Sequence, residues 1–144
     1  MVARRWIGIA VLLVTVGAAR AFSGGTLVIT DHPVDPKDKG FEKTLAKARK
    51  TALAKTGPSW HVYFVAYLSK PAGATELNIV FYPAGKKGEP TAFPIGTQES
   101  AKIVMSDLEI SPENGITPGK YNVRITRLIG GKEVIYARAD LELK

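Results

Sequence analysis

The sequence predicts a mainly β domain, a two-sheet Greek-key sandwich of seven short strands with one α-helix inserted after the first strand. Two observations support this fold class. Short segments of alternating apolar and polar residues are separated by turns rich in Pro and Gly, which is typical of sandwich strands. One segment changes to helical spacing instead. Because 144 residues suffice for one core and hardly for two, we expect residues 22–144 to form a single domain.

The C-terminal hairpin gives the clearest strand pattern. Residues 121–126 alternate with period two, residues 134–143 do so again, and Gly130-Gly131 joins them. A two-residue loop would pair Ile125 with Tyr136 and turn the apolar row of the second strand to solvent. The pattern therefore predicts a three-residue loop over 129–131 with Ile125 opposite Ile135. In this register, Tyr136 faces outward.

Five further strands precede the hairpin, at residues 26–30, 60–68, 77–82, 92–95 and 102–110. Pro94 interrupts the fourth of these, so we expect it to be a short edge strand. The strand at 60–68 is apolar on both faces and must be covered on both.

A helix at about residues 40–56 provides the second cover. Phe41, Leu45 and Ala48 recur at helical spacing, and Gly57-Pro58 is a typical helix stop. We expect Phe41 and Leu45 to pack over Tyr63 and Val65 of the doubly apolar strand.

A resemblance to known domains rests on the segment that enters the hairpin. Leu108-Glu109-Ile110, followed by Thr117-Pro118-Gly119 and Tyr121, resembles the crossover and next strand of immunoglobulin-like and fibronectin-type-III-like domains of bacterial exported proteins. The resemblance implies a tyrosine corner, in which Tyr121 bonds back to the crossover backbone, and one sheet shared by the third, sixth and seventh strands. It extends over 108–143 and, beyond that, only to the strand count. The Cys–Trp–Cys pattern of antibody domains is absent and the helix is a departure, so the resemblance implies an architecture and no activity.

The first 21 residues have the pattern of a Sec signal peptide. Arg4 and Arg5 precede an apolar run of eleven residues, and the small residues Ala19 and Ala21 predict cleavage before Phe22. The run is short for a bilayer span of about 20 residues, although an uncleaved anchor is the alternative. The chain has no Cys to carry a lipid, so we expect a periplasmic or secreted bacterial protein, not a lipoprotein, with no transmembrane segment after cleavage.

The positive charge lies partly in this leader. The full chain has 20 basic and 13 acidic residues, a net charge of +7, and removal of Arg4, Arg5 and Arg20 lowers it to +4. This modest charge argues against a nucleic-acid partner.

The sequence offers little for catalysis. His32 and His61 lie in unlike contexts without partners at metal-ligand spacing, although Asp31, His32 and Asp35 form a weak metal candidate. No nucleophile motif or phosphate-binding loop occurs. We therefore expect a protein that is not an enzyme and has no metal or cofactor.

Two binding hypotheses remain. In the first, the protein binds a protein or glycan of the cell envelope through a sheet edge or a sheet face, and the face residues are Tyr82, Arg124, Tyr136 and Arg138. An ordinary solvated face would contain similar residues. In the second, the helix binds an anionic polymer or lipid head groups through Lys43, Lys47 and Lys50, helped by the loop lysines at 86 and 87. Neither pattern specifies the partner or the oligomeric state.

Overall fold

The computed structural model describes residues 9–11, 22–85 and 88–144, with residues 9–11 given by strand pairing only. Apart from those three residues, the predicted leader lies outside the described part, as do the two loop lysines at 86 and 87. The described elements are β1 Ile9–Val11, β2 Thr26–Thr30, α1 Phe41–Ala48, β3 Ala52–Leu53, β4 Trp60–Tyr67, β5 Glu76–Pro83, β6 Thr91–Gly96, β7 Ile103–Ile110, a 3₁₀ turn Pro112–Asn114, β8 Gly119–Ile129 and β9 Lys132–Leu143. The fold is mainly β with one α-helix among the described residues, as predicted.

All the strands belong to one curled sheet. Its order is β1-β7-β4-β2-β9-β8-β5-β6, and β3 lies beside β9. Neighbours are antiparallel except where β9 runs parallel to β2 and to β3. The β2–β9 junction consists of one residue pair, Thr26 opposite Arg138. This junction divides the sheet into a covered half (β1, β7, β4, β2) and an open half (β9, β8, β5, β6).

The inner faces of the two halves enclose one core. Alternate residues of β4, among them Trp60, Val62 and Phe64, meet alternate residues of β5 such as Leu77 and Ile79, and all are buried. This is the inward row that the period-two pattern predicted for both strands. Such alternation places every second side chain on the same face, so the pattern alone determines which residues enter the core.

A second apolar cluster covers the outer face of the covered half. Leu45 and Ala48 of α1 pack there with Val65 and Tyr67 of β4. The predicted cover of this strand by the helix is confirmed, but it lies toward Tyr67, whose hydroxyl donates to the Glu42 carboxylate at 2.9 Å.

The helix is shorter than the sequence predicted. It ends at Ala48, where the prediction extended to about residue 56. The Lys50 N–H donates to the Ile29 carbonyl at 2.7 Å, and β3 then pairs with the end of β9. This extended path buries Leu53 in the main core. Burial and strand pairing outweigh the helical propensity of an Ala- and Lys-rich segment, which is a weak preference per residue.

The register of the hairpin also differs from the prediction. Gly130 and Gly131 have φ values of 59° and 81° and form a two-residue loop that places Ile129 opposite Lys132. Left-handed conformations at both positions suit the turn whose twist matches the flanking strands. A register shift occurs farther along the strands, where Ile125 lies opposite Ala137 and Tyr136 has no cross-strand partner.

This shift is a β-bulge that changes the face of the residues between it and the loop. Tyr136 and Val134 turn toward the core, whereas Ile135 lies opposite Thr126 on the outer face. The predicted three-residue loop and the outward Tyr136 are therefore wrong. Beyond the bulge, Ala137 and Leu141 are buried as predicted.

The crossover between β7 and β8 ends in the bond that the resemblance implied. The Tyr121 hydroxyl donates to the Thr117 carbonyl at 2.6 Å and accepts from the Thr117 N–H at 3.1 Å. Tyr121 thereby holds the crossover loop to the start of β8.

Candidate functional site

Among the described residues, the edge strand β7 has strand pairing along only part of its outer side. It pairs with β4 along all eight of its residues. On its other side, the described pairs with β1 are those of Val104, Met105 and Ser106, which lie opposite Val11, Ala10 and Ile9. β7 contains no proline, so its backbone can donate along its whole length. An apolar strand from the predicted leader thus occupies a longer edge that is able to pair.

The opposite edge of the sheet is built differently. β6 has six residues, pairs with β5, and contains Pro94 opposite Asn78. Proline has no N–H, and in natural sheets it marks edges that do not accept a further strand. The two edges are therefore not equivalent.

A groove of about 340 Å³ lies beside β7 on the outer face of the covered half. Its floor comes from β4 and β7, and its wall from α1 and the loop after β2. Among the residues that line it are Tyr63, Val65, Met105, Val34, Leu45 and Asp107. The lining is mostly apolar, with one carboxylate at the side of the open edge.

Acidic groups surround the groove along β7. The Asp107 carboxylate lies 2.6 Å from His61 Nε2, and the His61 ring stacks on Tyr63 with the ring centroids 4.3 Å apart. Farther along β7, Glu109 accepts a hydrogen bond from the Ser59 hydroxyl at 3.0 Å. Burial, followed by the negative charges of Asp107 and Glu109, raises the pKa of Tyr63 above its usual value. These two carboxylates also favour cations at this side of the groove.

The predicted binding face on the open half is only partly assembled. The Arg124 guanidinium lies 4.0 Å from the centre of the Tyr82 ring, and Arg138 lies opposite Arg124 in the β8–β9 ladder. Arg124 also donates to Asn122 Oδ1 at 2.6 Å and approaches a Glu133 carboxylate oxygen at 3.3 Å. The Tyr82 hydroxyl donates to the same carboxylate.

Tyr82 and Arg124 thus already bind each other and neighbouring side chains of the same chain. Burial, followed by the hydrogen bond with Glu133, raises the pKa of Tyr82 above its usual value. The guanidinium of Arg124 and the phenol of Tyr82 both donate hydrogen bonds to this carboxylate. The arrangement is what a self-sufficient solvated sheet face requires.

Tyr136, the fourth residue predicted for this face, lies in the core. Its side chain is 1% exposed, and its hydroxyl donates to the Ala72 carbonyl at 2.9 Å. The cause is the β-bulge described above, which the alternation pattern could not reveal. The predicted four-residue site is therefore reduced to Tyr82, Arg124 and Arg138.

The predicted lysine face is also divided. Lys43 and Lys47 are exposed on α1, but Lys50 lies beyond the end of the helix. The Lys50 ammonium is 4.0 Å from the Asp31 carboxylate. The three lysines therefore do not form one row on one helix.

The weak metal candidate is an exposed pair. His32 Nδ1 lies 2.7 Å from Asp31, and this hydrogen bond is the main cause that lowers the pKa of Asp31. Asp35 instead accepts the N–H of Lys37 at 2.9 Å. Across the described ranges, no three His, Cys, Asp or Glu side chains converge as metal ligands. None of the helices in these ranges is long and apolar enough to span a membrane.

The sequence did not single out the groove. The one local hint is that the strand at 102–110 lacks proline, whereas its counterpart at 92–95 contains Pro94. The juxtaposition of Tyr63, Met105 and Asp107 becomes visible only when β4 and β7 are known to be neighbours.

No family model matches the chain, and no curated protein or solved structure matches it. Its function must therefore be inferred from the surfaces themselves.

Proposed function

We propose that this chain is a non-catalytic interaction module of the bacterial cell envelope that binds another protein at the open edge of β7. One observation carries the proposal: the short strand β1 pairs with Val104, Met105 and Ser106 of that edge. Strand addition derives affinity from main-chain hydrogen bonds, and side-chain pockets provide selectivity. This chemistry favours a protein over a glycan, because the added ladder requires peptide N–H and C=O groups.

The proposed architecture is an immunoglobulin-like or fibronectin-type-III-like Greek key. Its support is the strand order, in which β7, β4 and β2 lie side by side in one row and β9, β8, β5 and β6 form the other row. The links from β4 to β5, from β6 to β7 and from β7 to β8 cross between these rows, as Greek-key connections do. The tyrosine corner of Tyr121 adds a local feature of the same architecture. The insertion of α1 and β3 between β2 and β4 is a departure from it.

Export would open the edge in this proposal. If residues 1–21 are a cleaved Sec signal peptide, β1 leaves with them, and among the remaining described strands only β4 pairs with β7. We place the mature protein in the periplasm or outside the cell.

The test begins with the full chain expressed in a bacterium and recovered from the envelope fraction. Mass spectrometry should give an N-terminus at Phe22. Isothermal titration calorimetry then measures binding of a lysine-flanked peptide with the sequence of residues 7–13. We expect saturable binding, and binding at least about tenfold weaker for the same peptide with alternate backbone nitrogens methylated, because two or more ladder bonds are lost. Equal binding of the two peptides, or none by either, would contradict the proposal.

The alternative function is binding of an anionic polymer or lipid head groups. It rests on Lys43 and Lys47, which are exposed on α1. Such binding would weaken steeply with salt, because it releases counterions. Strand addition does not share this steep salt dependence, so a salt titration distinguishes the two functions.

A further inference from the structure

We infer that the groove beside β7 selects the side chains of the added strand, and that the preferred segment has a basic residue followed two positions later by a large apolar residue. This inference rests on the proposed strand addition and adds the chemistry of the partner to it.

The register of β1 fixes which residues of an added strand face the groove. Directly opposed residues of neighbouring strands lie on the same face of a sheet. Ser106 pairs with the core residue Phe64 on its β4 side, so an added residue opposite Ser106 faces inward. Met105 and Asp107 face outward and line the groove. Residues opposite these two therefore lie on the groove side.

The position opposite Met105 determines the apolar preference. Neighbouring strands are about 4.8 Å apart, so a Leu, Met or Phe side chain at this position would contact Met105 on the groove floor. The leader has an alanine, Ala10, at this register position. A partner with a larger apolar residue there would bury more apolar surface than one with alanine, and would bind the same edge more tightly.

The position opposite Asp107 determines the basic preference. The Asp107 side chain is 32% exposed, and its ion-pair partner is His61. Among the described residues, no Lys or Arg forms an ion pair with it. Glu109 follows on the same face of β7, two residues farther along. A Lys or Arg of the added strand would therefore meet two acidic side chains, Asp107 directly and Glu109 diagonally.

The strand direction turns these two positions into a sequence pattern. β1 is antiparallel to β7, so an added residue opposite Asp107 comes two positions before the one opposite Met105. The two positions that face inward, opposite Ser106 and Val104, hold Ile9 and Val11 in the leader. The predicted segment is thus basic, apolar, large apolar, apolar, in extended conformation.

The experiment uses protein recovered from the envelope and a matched set of synthetic peptides. One pair has Ala or Phe at the position opposite Met105, and the other has Lys or Glu at the position opposite Asp107. We expect Phe to bind about tenfold to hundredfold more tightly than Ala, as burial of a large apolar side chain implies. We expect Lys to bind about fivefold more tightly than Glu.

A charge exchange separates recognition from a merely structural effect. Asp107→Lys should reverse the order, so that the Glu peptide binds more tightly than the Lys peptide. Glu76→Lys, an exposed change at the start of β5, should leave the wild-type order unchanged. If Asp107→Lys fails to fold, the Phe/Ala and Lys/Glu ratios on the wild-type protein still decide the question.

The possible failures are distinguishable. Peptides that bind with no dependence on either side chain would overturn the groove inference while strand addition stands. If no peptide binds, the proposed function is overturned, and the inference with it.

Discussion

The two halves of the sheet differ in the chemistry of their outer faces and in the build of their edge strands. In the covered half, the outer face of β4 carries Val65 and Tyr67 beneath α1. In the open half, the outer face of β8 carries Asn122 and Arg124, which bond to each other. The covered half ends at β7, an eight-residue strand, and the open half at β6, which contains Pro94.

This difference shows that residue types typical of binding sites can already be bound to other side chains of the same protein. Tyr82 and Arg124 form the more obvious aromatic and cationic surface, but Glu133 already binds both. The edge of β7 is less conspicuous in the sequence, yet it pairs with the short strand β1, and Asp107 beside it has a histidine as its ion-pair partner. We therefore propose the edge of the covered half, and not the sheet face of the open half, as the binding surface.

The largest effect is expected from a substitution that disrupts the packing of α1 on the covered half. Leu45 of α1 is fully buried against the sheet, so Leu45→Asp should lower the free energy of unfolding by roughly 2–4 kcal/mol, through loss of apolar burial and desolvation of a carboxylate. Lys47→Asp, at an exposed position of the same helix, should change it by less than about 0.5 kcal/mol. Urea denaturation measures both. An unchanged midpoint for Leu45→Asp would mean that the helix does not cover the sheet.

Two tyrosines of the open half provide the next test. Tyr136→Phe removes a buried hydrogen bond to the Ala72 carbonyl and should cost about 1 kcal/mol of unfolding free energy. Tyr82→Phe removes a hydrogen bond at the surface and should lower the unfolding free energy by only a few tenths as much as Tyr136→Phe does. Denaturation of the two variants under the same conditions gives the comparison. A larger loss for Tyr82→Phe would place Tyr136 outside the core and contradict the bulge.

Alkaline pH tests the acidic rim of the groove. The pKa of Tyr63 is raised in the folded protein, so the unfolded chain releases this proton first, near pH 10. The stabilisation is fully present below about pH 10 and is lost as the pH rises through the folded pKa. Tyr63→Phe should therefore lose less stability than the wild type between pH 9 and 11, as measured by urea midpoints. Parallel pH profiles would contradict the raised pKa of Tyr63, to which burial contributes most and Asp107 and Glu109 contribute next.

The smallest effect concerns the lysines. Because Lys43 and Lys47 are separated from Lys50 by the end of the helix, we expect the triple change to Gln to weaken polyphosphate binding only a few-fold. A salt titration of both proteins checks this. A loss of tenfold or more, together with a salt slope reduced by about 2–3, would favour the alternative function.

Local patterns predicted the parts of the fold that depend on local alternation. The inward row of Trp60, Val62 and Phe64 follows from period two. The bond of Tyr121 to the crossover backbone was implied by the resemblance, and its partner Thr117 lies only four residues away. Both were predictable because their causes lie within a few positions along the chain.

Other features depend on distant partners and could not be predicted in this way. Leu53 lies in a strand and not in the helix, because its segment pairs with β9, some ninety positions later, where Leu53 lies opposite Leu143. Tyr136 faces inward because the two-residue glycine loop requires a β-bulge within the strands, and this bulge lies at Tyr136. The candidate site depends on β4 and β7 being neighbours, which no short segment of sequence encodes.

The availability of the β7 edge is tested most directly by amide hydrogen exchange on protein recovered from the envelope. Alternate amides of an edge strand point away from its neighbour, so about half of those in β7 should exchange quickly without a peptide. Addition of the lysine-flanked peptide of residues 7–13 should slow these β7 amides and leave those of β6 unchanged. Unchanged exchange along β7, or protection of β6 instead, would contradict the account.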